Sequence, residues 1–251
     1  MNPSVTQLEA QQAELAGLLD GLDDIAWELP SPCEGWSVAD VVLHLAQTNE
    51  MAIGSATGRF EETLERLTAG VGPVGDVDEG AALMVEHERG RPHAELRARW
   101  RAGSDELVAV LGAADPHQRV TWVAGTLSIR TLTTTRLAET WIHAGDVARA
   151  LGRTLEATDR LQQIARLAWR TLPYAFERAG RSLHGSVAFE LIGPGGERWD
   201  FAPDERASTV IRGEAVELCL VAARRIDPSQ TSLDGEGPDA DAVLELVRTY
   251  A

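Results

Sequence analysis

Three side chains of the kinds that hold transition metals stand out in the chain: His44, Glu139 and His143. Two of them sit in Arg136-Leu-Ala-Glu139-Thr-Trp-Ile-His143-Ala-Gly-Asp146, four residues apart. On a helix that spacing puts both on one face, one turn and about 6 Å apart along the axis. The third lies far upstream, in Ser37-Val-Ala-Asp40-Val-Val-Leu-His44-Leu-Ala. Brought to the same level by an antiparallel helix, it would complete a facial set of two imidazoles and one carboxylate. That set suits a divalent metal and leaves a position open for chemistry. Blander readings exist for each residue. A histidine on an apolar helix face is commonly a core residue. A Glu-x-x-x-His pair is commonly exposed and worth a few tenths of a kcal/mol. Glu139, however, is surrounded by Leu137, Ala138, Trp141 and Ile142. A carboxylate buried in such a helix needs a cation, and Arg136 competes with a metal for that role.

The elements that must position these groups are partly legible. Trp27-Glu-Leu-Pro30-Ser-Pro32-Cys-Glu-Gly35-Trp36 cannot be helical, with two prolines and a glycine. The helix carrying His44 then starts sharply. Ser37 is a good N-cap, Asp40 three residues on resembles a capping box, and Trp36 before the cap can pack on Val41. A second helix is expected from about Ser128 to Leu151, ended by Gly152, and carries Glu139 and His143. Leu8, Leu15, Leu18, Leu19 and Leu22 form the stripe of a first helix. Gly70–Gly80 reads as an acidic loop. Helical pattern resumes over residues 81–87 and again from Pro92 to about Leu111. His117–Gly125 reads as a connector, and residues 159–179 as one further helix capped by Thr158. Beyond Gly180 the character changes. Residues 186–192, 198–201 and 208–212 read as strands with a turn at Pro194–Glu197. Gly213 is expected to open a helix over 214–225, and a last helix to run from Pro238 to Tyr250. The fold class is therefore α+β, a helical domain over 1–180 followed by a small α+β domain over 181–251.

Composition narrows the function. The 251 residues carry 39 acidic and 23 basic side chains, a net charge of −16 that repels phosphate backbones and anionic membranes. Nucleic acid and membrane are thus not expected partners. No apolar run reaches the roughly 18 residues needed to span a bilayer, and the N-terminus lacks the pattern of a signal peptide, so a cytoplasmic protein is expected. All the basic residues are arginine. A lysine Schiff base, a lysine general base and a P-loop lysine are excluded. Cys33 and Cys219 fit no metal or redox spacing, and Cys33 is expected to be structural.

Pro32-Cys-Glu-Gly-Trp36-Ser37-Val-Ala-Asp40-Val-Val-Leu-His44-Leu-Ala, followed by Glu139-Thr-Trp-Ile-His143-Ala-Gly-Asp146, resembles the mycothiol-dependent maleylpyruvate isomerase family. That family is similar to the wider DinB-like metal-binding bundles. The resemblance covers the whole chain and implies a DinB-like four-helix bundle followed by an SCP2-like α+β domain. It implies a divalent metal, usually zinc, on His44, Glu139 and His143, facing a cleft near the second domain. It further implies mycothiol as thiol cosubstrate, a small electrophile as substrate, and an actinobacterial host, which the lysine-free composition fits. The expected activity is a thiol isomerase or transferase in which a metal-activated thiolate adds to the electrophile. Asp146 and Gln47 are expected near the cofactor. Arg212, Arg224 and Arg225 are the arginines available to bind an anionic substrate in the C-terminal domain. The protein is expected as a monomer or homodimer. The alternatives are a metal-dependent hydrolase or tailoring enzyme without thiol chemistry, or a zinc-binding regulatory module.

Overall fold

The start of the helix that carries His44 shows how local sequence builds this fold. Ser37 adopts an extended conformation, its hydroxyl accepts the Asp40 N–H, and the Asp40 carboxylate accepts the Ser37 N–H at 2.9 Å. This reciprocal capping box satisfies two of the N–H groups that every helix start leaves open. Arg89 adds an ion pair to the same carboxylate at 2.9 Å. Replacing Asp40 with alanine removes both carboxylate contacts and leaves only the bond from the residue-40 backbone N–H to the Ser37 hydroxyl. We expect about 1–2 kcal/mol of destabilisation in urea denaturation, the usual range for a lost cap.

The computed structural model describes residues 3–72, 75–123 and 125–249. The chain divides into two compact units, Met1–Leu155 and Glu156–Ala251. The first contains α1 (Pro3–Leu19), α2 (Asp24–Trp27), α3 (Val38–Ala56), α4 (Phe60–Leu67), α5 (Val77–Glu88), α6 (His93–Ala113), the hairpin β1 (Arg119–Trp122) and β2 (Gly125–Ser128), and α7 (Ile129–Ala150). Helices α1, α3, α6 and α7 form a four-helix bundle. In it α3 packs on α6 and α7, and α1 packs on the same two. Buried along most of its length, α3 also supports α4, α5 and β1. The core joins Leu15 and Leu19 of α1, Val41 and Leu45 of α3, Trp100 of α6, and Ala144 and Val147 of α7.

Helix α7 is rich in buried threonine, a poor helix former. Each hydroxyl solves its burial locally. Thr133 donates to Ile129 O, Thr135 to Leu132 O and Thr140 to Arg136 O, each at 2.8 Å. The helix starts where expected, and Ser128 caps it by accepting from Thr131 N.

The second unit contains α8 (Leu161–Arg170), α9 (Leu172–Arg178), β3 (Val187–Ile192), β4 (Arg198–Phe201), β5 (Thr209–Glu214), α10 (Ala215–Ala222), a 3₁₀ turn at Pro228–Gln230, β6 (Asp234–Glu236) and α11 (Ala240–Leu246). Its sheet runs β4-β3-β5-β6. β3 pairs antiparallel with β4 and parallel with β5, and β6 closes the other side antiparallel. The α+β class is thus as expected. The residues 156–180, grouped with the bundle in the sequence reading, fall in the unit that contains the sheet.

Several local expectations need correction. The connector at His117–Gly125 is part of a hairpin, with Val120 facing Leu127. Its strands are only four residues long, too short for periodicity to declare itself. The helix expected over 159–179 is two helices that meet at Thr171, where φ −92° and ψ 0° leave the α conformation; Pro173, in the first turn of α9, has no N–H with which to continue the ladder of α8. Gly213 does not open a helix. It continues β5 opposite Leu191 at φ +139°, where a side chain would meet Leu233. Val77 begins α5 inside the expected loop, capped by Asp76. The last helix ends at Leu246, because Val247 turns to an extended conformation. Among the described residues no helix is long and apolar enough to cross a membrane.

Candidate metal centre

The loop before α3 builds one wall of the site. Trp36 N–H donates to Cys33 O at 3.0 Å, closing a turn that Gly35 completes at φ +75°, as the third residue of a type II turn requires. Ser31 N–H donates to Trp36 O, Val38 N–H donates to Leu29 O, and Arg89 donates to Gly35 O. The loop is thereby clipped to itself and to the helix start. It carries Cys33 and Trp36 toward the ligand-bearing helices. The Trp36 ring lies 5.2 Å from the His44 ring and 6.4 Å from that of His143.

The packing of α3 on α7 brings His44, Glu139 and His143 together, with one donor atom of each within 4.8 Å of the others. His44 Nε2 lies 3.4 Å and His143 Nε2 3.5 Å from the same atom, Glu139 Oε2. Both separations exceed the ~2.7–3.2 Å of a good N–H···O bond. They match donors arranged around one ion instead. Ligands about 2.0–2.1 Å from a tetrahedral centre stand about 3.3 Å from one another. Two imidazoles and a carboxylate are also zinc-type donors, so residues and spacing both fit a divalent metal. The imidazoles are buried and Glu139 is slightly more open.

A second donor cluster, Cys33, His143 and Asp146, shares the His143 ring. Here the spacing is that of ordinary hydrogen bonding. Asp146 Oδ2 lies 3.0 Å from His143 Nδ1, and the Cys33 thiol donates to the same oxygen at 3.3 Å. Asp146 is fully buried. With Nδ1 held by Asp146, His143 Nε2 faces Glu139 and is the atom that would be offered to an ion, the usual arrangement for a metal-binding histidine. We expect Asp146→Asn to lower zinc affinity about 10–100-fold while circular dichroism stays unchanged.

Electrostatics follow from this geometry. Burial would raise the Glu139 pKa, but the two imidazoles facing it, with the Arg136 charge beyond them, outweigh burial and hold the group well below the usual carboxylate range. For His143, burial opposes protonation, yet Asp146, Cys33 and Glu139 together hold its pKa well above the ordinary value. His44 moves the other way, chiefly through burial, aided by the charges of His143 and Arg136. Arg136 is not the direct counter-ion of Glu139. Its guanidinium donates to Thr48 Oγ1 at 2.9 Å and to Asn49 Oδ1 at 3.3 Å.

The other expected site residues divide. Gln47 is fully buried and donates to Met84 O at 2.9 Å and to Glu88 at 3.1 Å. Through its amide nitrogen it ties α3 to α5. Arg212 lies in β5, ion-paired with Glu190 at 2.9 Å and Glu236 at 3.1 Å. Arg224 takes the left-handed conformation after α10, at φ 59°, and Arg225 donates to Ala223 O. Cys33 is what the sequence reading missed. It lies far from any histidine in sequence, yet its sulfur is 3.9 Å from His143 Nδ1. The available signal was its place in the turn leading to Trp36. Cys219, in contrast, is buried, and burial pushes its thiol pKa well above the ordinary value.

A family model described as the mycothiol maleylpyruvate isomerase N-terminal domain matches residues 8–148. Uncharacterized proteins from two strains of Mycobacterium tuberculosis are each 31% identical to this chain over 250 residues, covering 99% of it and 95% of the relative. A crystal structure of the mycothiol-dependent maleylpyruvate isomerase superposes with a TM-score of 0.61 at 19% identity, covering 94% of each chain. The structure of a histidine-to-alanine mutant of that enzyme superposes equally well at 18% identity. These two likenesses are of fold. The matched stretch, however, includes the turn at Cys33, the capped start of α3 and the Glu139–Asp146 face of α7. On that match, the chain belongs to the mycothiol maleylpyruvate isomerase family.

Proposed function

We propose that the protein is a metal-dependent thiol isomerase or transferase, using mycothiol or a similar low-molecular-weight thiol on a small electrophilic substrate. His44, Glu139 and His143 would hold the ion, and zinc is the metal their chemistry suits. The observation that carries the reading is the convergence of two imidazole Nε2 atoms on one carboxylate oxygen, at 3.4 and 3.5 Å. When bound, the ion supplies Lewis acidity and makes a coordinated thiol ionise near neutral pH, well below the ~8.5 of a free thiol.

The chain's own residues do the rest. Asp146 keeps the His143 proton on Nδ1 and so keeps Nε2 a ligand. Among the described residues His44 Nδ1 has no hydrogen-bond partner, and the orientation of the ring comes from packing against Trp36 and from the fixed start of α3. Trp36 covers both imidazoles and keeps bulk water off them. Membership of the family supports the thiol; the donor set supports the metal.

The test is cobalt substitution followed by titration with a low-molecular-weight thiol. A sulfur-to-cobalt charge-transfer band that saturates at one thiol per protein is expected. A cobalt spectrum that ignores the thiol, while a small ester or amide is hydrolysed, would favour the hydrolase reading.

A further inference from the structure

Arg136 is the largest polar side chain that is fully buried, and it lies in α7 one turn before Glu139. Its Nη2 donates to Thr48 Oγ1, and the Thr48 hydroxyl in turn donates to His44 O at 2.8 Å. A second bond from Nη2 reaches Asn49 Oδ1. The guanidinium therefore bridges the two ligand-bearing helices, next to the ligands on each. Among the described residues Nε and Nη1 have no hydrogen-bond partner, and no carboxylate bonds the group directly. Burying a cation on these terms is costly. A strut between helices needs only a neutral amide or hydroxyl, so the charge itself calls for a reason.

Charge counting supplies one. Two neutral imidazoles and the Glu139 carboxylate leave a divalent ion with one net positive charge. Asp146 would cancel that charge, and Arg136 restores it. Arginine does not lose its proton in proteins, so this charge persists at every working pH. We propose that Arg136 is a positioning residue that keeps the centre cationic, so that the open position of the metal selects an anionic ligand, a thiolate or carboxylate, over water or a neutral donor. The proposal rests on the metal reading above and adds what the site discriminates.

The charge and strut roles predict opposite patterns. In a medium of effective dielectric about 20, a unit charge anywhere within about 10 Å changes ion affinity by more than tenfold. In Arg136→Met the apo protein should therefore bind zinc at least as tightly as wild type. The cobalt form should bind azide, a small monoanion, about tenfold more weakly, with imidazole affinity unchanged. Arg136→Lys, retaining the charge, should return wild-type values. Thr48→Val removes the hydrogen bond but leaves the cation, and should leave azide affinity unchanged. If methionine is not tolerated, glutamine replaces it, keeping a donor for Thr48 while dropping the charge. A folded neutral variant that binds azide as tightly as wild type overturns the proposal, as does a folded lysine variant that behaves like the neutral ones. Parallel loss of zinc, azide and thermal stability would reduce Arg136 to a strut and also overturn it. A wild-type protein that takes up no zinc defeats the metal reading itself, before any variant is made, and this proposal falls with it.

Discussion

His44→Ala is expected to yield a folded protein that has lost its metal. His44 is the only one of the three donors contributed by α3; Glu139 and His143 both come from α7. Without it, the remaining pair is an i,i+4 motif on a single helix, which has no chelate closed across the bundle. Removing an orienting partner alone typically costs 10–100-fold in affinity, and removing a ligand costs more. Zinc affinity should therefore fall more than about 100-fold, and activity with it. The fold should survive, because α3 is held by Val41, Leu45 and its capping box rather than by the imidazole. Metal content after gel filtration and the circular dichroism spectrum read the two halves of the prediction. A variant retaining stoichiometric, equally tight zinc would place the ion elsewhere.

The largest effect on stability is expected from Trp100→Ala. The Trp100 indole is 2% exposed and belongs to the core shared by Leu96 of α6, Val85 of α5, Val41 and Leu45 of α3, and Leu15 of α1. Truncation loses the transfer free energy of a large ring and leaves a cavity beside the helix that carries His44. The expected cost is about 3–5 kcal/mol. Metal binding should restore much of it, since an ion that binds only the folded state adds about 4 kcal/mol when present at about a thousand times its dissociation constant. Urea denaturation of the variant with and without zinc measures both terms. A variant that loses stability but gains nothing from zinc would mean that the ion does not bind the folded bundle.

The parts of this structure governed by neighbouring residues were legible. Ser37 and Asp40 announce the start of α3, Ser128 that of α7, and Glu139 with His143 a shared helix face, because each depends on residues within one turn of another. The meeting of His44 with Glu139 depends on how α3 packs against α7. No spacing rule encodes that packing, and only the resemblance suggested it. Cys33 shows the same limit from the other side. No histidine is near it in sequence, yet the turn at Gly35 carries it to His143. Gln47 sits one helical turn from His44 and looked like a cleft residue, but α5, whose start lay inside an expected loop, covers it. The β1–β2 hairpin and the break between α8 and α9 were lost to short strands and to one proline. Arg136, expected to compete with a metal as the partner of Glu139, bonds Thr48 and Asn49 instead, and those bonds belong to the tertiary packing alone.

X-ray absorption at the edge of the resident metal, recorded on wild-type protein, examines the site without any substitution. It should report one ion per chain with two imidazole nitrogens and one carboxylate oxygen at about 2.0–2.2 Å, and a sulfur at about 2.3 Å once a low-molecular-weight thiol is added. An ion with a single imidazole or none in its shell, or a purified protein that takes up no metal, would contradict the centre formed by His44, Glu139 and His143.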